Sequence, residues 1–173
     1  MVTPRYRRAR GLTLLECLIT LAILAVLMAV GVPAFHDQLA DARARAAAHQ
    51  IYSALQFART RALREGVPVT VCPVSATAGG AVKCGGDLGQ SIMAWRESAD
   101  ADPVLRIWTP PEGVAIRNRA GTERVTGGIE WDANGLGHRN LTLSVCAVGR
   151  NWSVVVNRLG RPRIAKDWGH CPS

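Results

Sequence analysis

The distribution of apolar positions divides the chain into two regimes. From Leu12 to Phe35 nearly every residue is apolar, and the one carboxylate in that run is Glu16. At about 1.5 Å of rise per helical residue, these two dozen residues span roughly 36 Å, enough to cross a bilayer core of about 30 Å. Pro33, inside the run, predicts a kink or local unwinding. Beyond it the chain turns polar but keeps a helical period, with Ile51, Leu55, Ala58 and Ala62 on one apolar stripe. Arg59, Arg61 and Arg64 crowd the last turns, where cations complement the helix dipole, and Gly66 is a stop signal. The pattern predicts one helix of roughly fifty residues, about 75–80 Å long. Its lower half is an anchor, and its upper half offers an apolar face to a sheet.

From Val67 the period changes to two. Val67, Val69 and Val71 alternate with Pro68, Thr70 and Cys72 as a half-buried strand. Ala76 to Gly89 is glycine-rich and reads as a loop pinned by Cys72 and Cys84. Strands are predicted at Ile92–Arg96, Val104–Trp108, Val114–Ile116, Gly128–Trp131, Leu141–Ala147, Trp152–Val156 and Arg163–Ala165. Asn134-Gly135 predicts a tight connection between the fourth and fifth of these. The five tryptophans read as core or sheet-face residues. The fold class is α+β, a long N-terminal helix packed on an all-antiparallel meander.

Charge gives the apolar run a direction and a function. Arg5, Arg7, Arg8 and Arg10 precede it, and the positive-inside rule puts them in the cytoplasm and everything after Phe35 outside the inner membrane. A carboxylate near the end of a lipid-spanning helix costs about 2–3 kcal/mol unless it finds a partner, so Glu16 reads as kept to neutralise something. Arg10-Gly11-Leu12-Thr13-Leu14-Leu15-Glu16 resembles the class III signal of type IV pilins and type II secretion pseudopilins. That resemblance implies a prepilin peptidase that cuts after Gly11 and methylates the amino group of Leu12, where the family usually carries Phe. It also implies that Glu16 pairs with the N-terminal amine of a neighbouring subunit during filament assembly. The expected organisation is a cleaved leader (1–11), a transmembrane helix half (12–35), an amphipathic helix half (36–65) and a β-rich head with a basic tail (66–173). The protein is expected first in the inner membrane as a single-pass chain with a periplasmic head, then in an extracellular pilus.

An external head permits disulfides. Cys72, Cys84, Cys146 and Cys171 allow three pairings, and proximity favours Cys72–Cys84 and Cys146–Cys171. Cys17 reads as a small apolar side chain of the helix. No C-x-x-C or H-x-x-x-H spacing joins these thiols to His138 or His170, so no metal is expected. Ser144, Ser153, the four histidines and the Asp100–Asp102 turn form no catalytic constellation that sequence can identify, and neither an enzyme nor a cofactor is expected.

The net charge is +8, and four of those charges are the leader arginines, so clustering matters more than the total. Between Asp132 and Asp167 there is no acidic residue, while Arg139, Arg150, Arg158, Arg161, Arg163 and Lys166 fall in that interval. Such a stretch is either a solvated basic face or the footprint of a polyanion. In Asn157-Arg158-Leu159-Gly160-Arg161-Pro162-Arg163, Gly160 can take a positive φ and Pro162 stiffens the segment, so Arg161 and Arg163 share a face. The whole chain is most similar to the GspH/FimT branch of pilin-like proteins. The residues that carry this are the signal and helix, Val71-Cys72-Pro73 with Cys84-Gly85, Ile129-Glu130-Trp131 before Asn134-Gly135, and Gly160-Arg161-Pro162-Arg163 with Cys171. A G-R-x-R tail is the DNA-contacting element of FimT proteins in transformable bacteria. The resemblance therefore implies a minor pilin that binds DNA non-specifically through Arg158, Gly160, Arg161 and Arg163, with Lys166 and Arg150 as electrostatic support. Its expected partners are DNA, other pilins, prepilin peptidase and inner-membrane lipid. A minor pilin that only primes or caps assembly, or a GspH-type secretion pseudopilin, are the alternatives.

Overall fold

The computed structural model describes residues 13–76, 80, 82–96, 103–137 and 139–172. It separates into two compact units, residues 1–36 and 37–173, and helix α1 (Leu14–Glu65) runs through the boundary. The described part of the first unit is helical and exposed along its whole length, with Leu14, Leu18, Ile23, Leu27 and Val30 all uncovered. Thr13 caps the helix: its hydroxyl accepts the Glu16 backbone N–H at 3.3 Å. The helix is continuous at Pro33, so the local unwinding that the sequence allowed does not occur.

In the second unit α1 buries Ala40, Ala44, Ala47, Ala48, Ile51, Ala54, Leu55, Ala58 and Ala62. The predicted stripe is present and is widened by alanines, whose small side chains let strands approach the helix closely. Gly66, at φ +66°, ends the helix and donates its N–H to the Ala62 carbonyl.

Among the described residues nine strands form two antiparallel sheets. In the first, β1 (Val69–Ala76) pairs along one edge with β3 (Ile92–Arg96), which in turn pairs with β4 (Val104–Trp108). The other edge of β1 is shared: β6 (Ile129–Trp131) takes Val69–Val71, and β2 (Val82–Cys84) takes Val74–Ala76. The second sheet has the order β5 (Ala115–Arg117), β7 (Leu141–Ala147), β8 (Arg150–Val156), β9 (Pro162–Lys166). Val69, Val71, Ile92, Ile129 and Trp131 from the first sheet and Leu143, Val145, Val154 and Val156 from the second form one core with the alanine stripe.

Two expectations need correction. The segment 76–89 is not only a loop, because Val82–Cys84 extends the sheet where the Cys72–Cys84 disulfide holds it beside β1. Asn134-Gly135 does not close a hairpin. β6 is consumed by the edge of β1 and β7 pairs with β5 and β8, so the turn carries the chain from one sheet to the other. Asp132 shapes that turn, its carboxylate accepting the N–H groups of Asn134 and Leu136 at 2.9 Å each. The second disulfide, Cys146–Cys171, ties the C-terminal segment to β7.

Candidate nucleic-acid interface

The turn Asn157–Arg161 joins β8 to β9 and is held from several sides. The Asn157 carbonyl accepts the Gly160 N–H at 2.9 Å, and its side-chain oxygen accepts the Arg161 N–H at 2.9 Å. Asn140 anchors the other limb, accepting the Arg158 N–H at 3.1 Å. Gly160 sits at φ +71°, and a Cβ there would lie 2.5 Å from Trp131 Nε1 and 2.6 Å from the Gly135 carbonyl oxygen. The fully buried Trp131 indole donates to the Gly160 carbonyl at 2.9 Å. The Ile129-Glu130-Trp131, Asn134-Gly135 and Gly160 segments, far apart in sequence, are therefore one packed unit. Pro162 is buried as the first residue of β9, where its missing N–H costs no ladder bond. Arg158, Arg161 and Arg163 are exposed.

Sequence reasoning missed two neighbours of this turn. Arg119 and Arg163 line one groove of about 460 Å³, together with Asn118, Asn140, Thr142 and Asn157. Both guanidinium groups also lie over the ring of Trp168, at 5.3 and 5.2 Å from its centroid. Trp168 is 46% exposed, unlike the buried Trp131. It is set there by the tail, which lies across β8: Gly169 donates to Ser153 Oγ at 3.0 Å, His170 donates to the Arg119 carbonyl at 2.9 Å, and Cys171 closes on Cys146. Gly169 has no room for a side chain, since a Cβ would run into Ser144 Oγ. The available signal was a tryptophan in a polar segment three residues before a cysteine.

The basic residues between Asp132 and Asp167 do not form one patch. Register pairs Val156 with Pro162 at the turn and Trp152 with Lys166 at the open end, so Lys166 stands about 13 Å along β9 from Pro162. There Lys166 Nζ lies 3.4 Å from Asp41, and Arg150 donates to Asp37 at 2.7 Å. Trp152 Nε1 also donates to Asp41 at 3.1 Å, and Lys166 and Arg45 lie over its ring. Arg150 and Lys166 thus tie the strands to acids of α1, with their charge balanced locally. Arg139 donates to the Gly128 carbonyl at 2.8 Å. Arg119, Arg158, Arg161 and Arg163 form no ion pair among the described residues.

Gly11, Leu12 and His138 lie outside the described residues; Glu16 is exposed in the first turn of α1. Among the described residues no three His, Cys, Asp or Glu side chains come together as a metal-holding group.

The family model for type II transport protein GspH matches residues 47–160, and that for the prokaryotic N-terminal methylation motif matches residues 6–32. The methylation motif implies processing by prepilin peptidase and pilin partners in a filament, and the apolar helix behind it suggests membrane anchoring. No curated protein matches the chain. Among solved structures it is similar to the type IV minor pilin FimU of Pseudomonas aeruginosa in two crystal forms. One gives a TM-score of 0.53 at 16% identity, covering 75% of this chain and 92% of that one. The other gives 0.51 at 18% identity, covering 75% and 98%. At these identities the likeness establishes the fold: a long N-terminal helix on antiparallel sheets.

Proposed function

The chain belongs to the GspH family, and on that premise we propose that it is a minor pilin of a type IV pilus that captures extracellular DNA on its Arg158–Arg163 turn and supports DNA uptake in natural transformation. The leader 1–11 is removed after Gly11 and Leu12 is methylated. Residues 12–35 hold the chain in the inner membrane with the N-terminus cytoplasmic, residues 36–65 continue the helix, and Glu16 engages a neighbouring subunit's amine on assembly. The head, residues 66–173, is periplasmic and later extracellular.

The observation that carries the DNA reading is the contrast between two sets of basic residues in the second sheet. Arg150 and Lys166 are matched to Asp37 and Asp41, whereas Arg158, Arg161 and Arg163, with Arg119 beside them, are exposed and without a carboxylate partner among the described residues. Arginine forks suit phosphate oxygens, and hydrogen bonds from Trp131 and to Asn157 fix the backbone of the turn from which they project. Contacts of this kind position a nucleic acid without reading its bases. A few phosphates per subunit make for weak, salt-sensitive binding, so effective capture needs several copies or a retracting filament.

The test is DNA binding by the full chain in a nonionic detergent, compared with Arg161→Gln/Arg163→Gln. The double variant should lose most of the affinity, and a host carrying it should keep its pili and transform poorly. Equal binding by the two proteins would refute the site. The matching family model is named for type II transport, so a secretion pseudopilin is the second reading. Deletion would then abolish protein secretion and leave pili and transformation intact.

A further inference from the structure

The groove beside the turn combines hydrogen-bond donors with the apolar side chains of Leu141, Val155 and Val156. Asn140 and Asn157 each spend the side-chain oxygen on a backbone N–H, of Arg158 at 3.1 Å and of Arg161 at 2.9 Å. Each amide is left with its NH₂ group to offer. Arg119 and Arg163 add guanidinium donors, so the charged and amide groups free to bind a ligand are donors. Such a lining fits an acceptor-rich anion, and a phosphodiester link is one. About 460 Å³ is the scale of a small-molecule site, and so of one nucleotide unit.

Trp168 adds a second requirement. The two arginines of the groove are also the two over its ring, so cation and aromatic surface are supplied at one place. Nearly half of Trp168 is open to solvent. The part of the indole that the two guanidiniums leave uncovered can receive a flat ring, and in a nucleic acid that ring is a base. In a duplex the base faces are covered by their neighbours, and only the backbone reaches a protein surface of this kind. In a single strand the bases can turn out and stack.

We propose that this groove takes a single nucleic-acid strand, with a phosphate held between Arg119 and Arg163 and the adjoining base stacked on Trp168. The proposal rests on the DNA reading above and narrows it. The arginines Arg119, Arg158, Arg161 and Arg163 attract and position either form of DNA through its backbone, while stacking on Trp168 gives unpaired strands the advantage.

The experiment is fluorescence anisotropy of the full chain in nonionic detergent at one fixed salt concentration. The probes are a labelled oligothymidine of about 16 nucleotides, the upper site size for a single-strand module, and a labelled duplex of the same length. The parent should bind the single strand about tenfold more tightly than the duplex. Trp168→Ala should lower single-strand affinity about tenfold, one base stack's worth, and change duplex affinity less than about twofold. Trp168→Phe, which keeps a ring, should retain most of the preference. Mass spectrometry for Cys146–Cys171 and a thermal melt establish that the variants fold. If Trp168→Ala leaves single-strand binding unchanged, or weakens both forms equally, Trp168 only props the arginines and the proposal is overturned. If the parent binds neither form, it is the DNA reading that fails.

Discussion

Gly160→Ala tests whether the basic turn is built as described. The substitution forces an alanine into a left-handed conformation at φ +71°, which costs about 1–2 kcal/mol. Its Cβ would also stand 2.5 Å from Trp131 Nε1 and 2.6 Å from the Gly135 carbonyl, so the turn must move off the indole. Moving it breaks the buried Trp131–Gly160 hydrogen bond and strands a donor, at about 1–3 kcal/mol. Together these come to about 3 kcal/mol, which for a head of this size lowers the melting temperature by about 10 °C. The assay is near-ultraviolet circular dichroism of the full chain in detergent during a thermal ramp, because that signal reports tryptophan packing rather than the helix. Trp131→Phe, which removes the donor and leaves a cavity in the core, should cost about as much. The reasoning fails if Gly160→Ala melts within about 2 °C of the parent, since neither the φ nor the close contact would then matter.

Replacing both Cys146 and Cys171 by serine should destabilise the head by about 3 kcal/mol in a denaturant titration, and should free the tail so that Trp168 becomes accessible to acrylamide quenching. Glu65 gives a pH signature. A hydrogen bond from Arg96, supported by Arg61 and opposed by burial, holds its pKa below the ordinary value of 4.5. The folded state therefore favours the ionised carboxylate, so this stability is complete above pH 4.5 and is lost as pH falls through the lowered folded value. Melting temperature should drop with acid below that point in the parent, and more shallowly in Glu65→Gln, which should already be less stable at neutral pH. Arg150→Gln with Lys166→Gln should leave DNA affinity within about twofold, because these charges are already balanced by Asp37 and Asp41 at the far end of β9.

Much of the fold is legible because burial writes a period into the chain. The stripe Ile51, Leu55, Ala58, Ala62 and the strands Ile92–Arg96, Val104–Trp108 and Leu141–Ala147 were all readable from spacing alone. What escaped depends on pairing, which has no local signature. Val82–Cys84 is too short for a period and is a strand only because β1 offers it an edge. Asn134-Gly135 carries a hairpin's residues, yet the edge of β1 claims β6 first. The site divides in the same way. Gly160, Arg161 and Arg163 are adjacent in sequence, and their shared outward face follows from strand alternation around the buried Pro162. That Lys166 and Arg150 stand apart from them follows from the β8–β9 register. That Arg119 and Trp168 join them follows from a tail folded back and closed by Cys146–Cys171. No window of sequence contains that information.

The central claim, that the exposed arginines on this turn bind phosphates, is tested most directly by the salt dependence of duplex DNA binding by the full chain. Three or four phosphate contacts predict a slope of log affinity against log salt of about −3 to −4. Arg161→Gln/Arg163→Gln should reduce that slope by about two, one for each contact removed. A parent slope near zero, or a slope the double variant leaves unchanged, would contradict it.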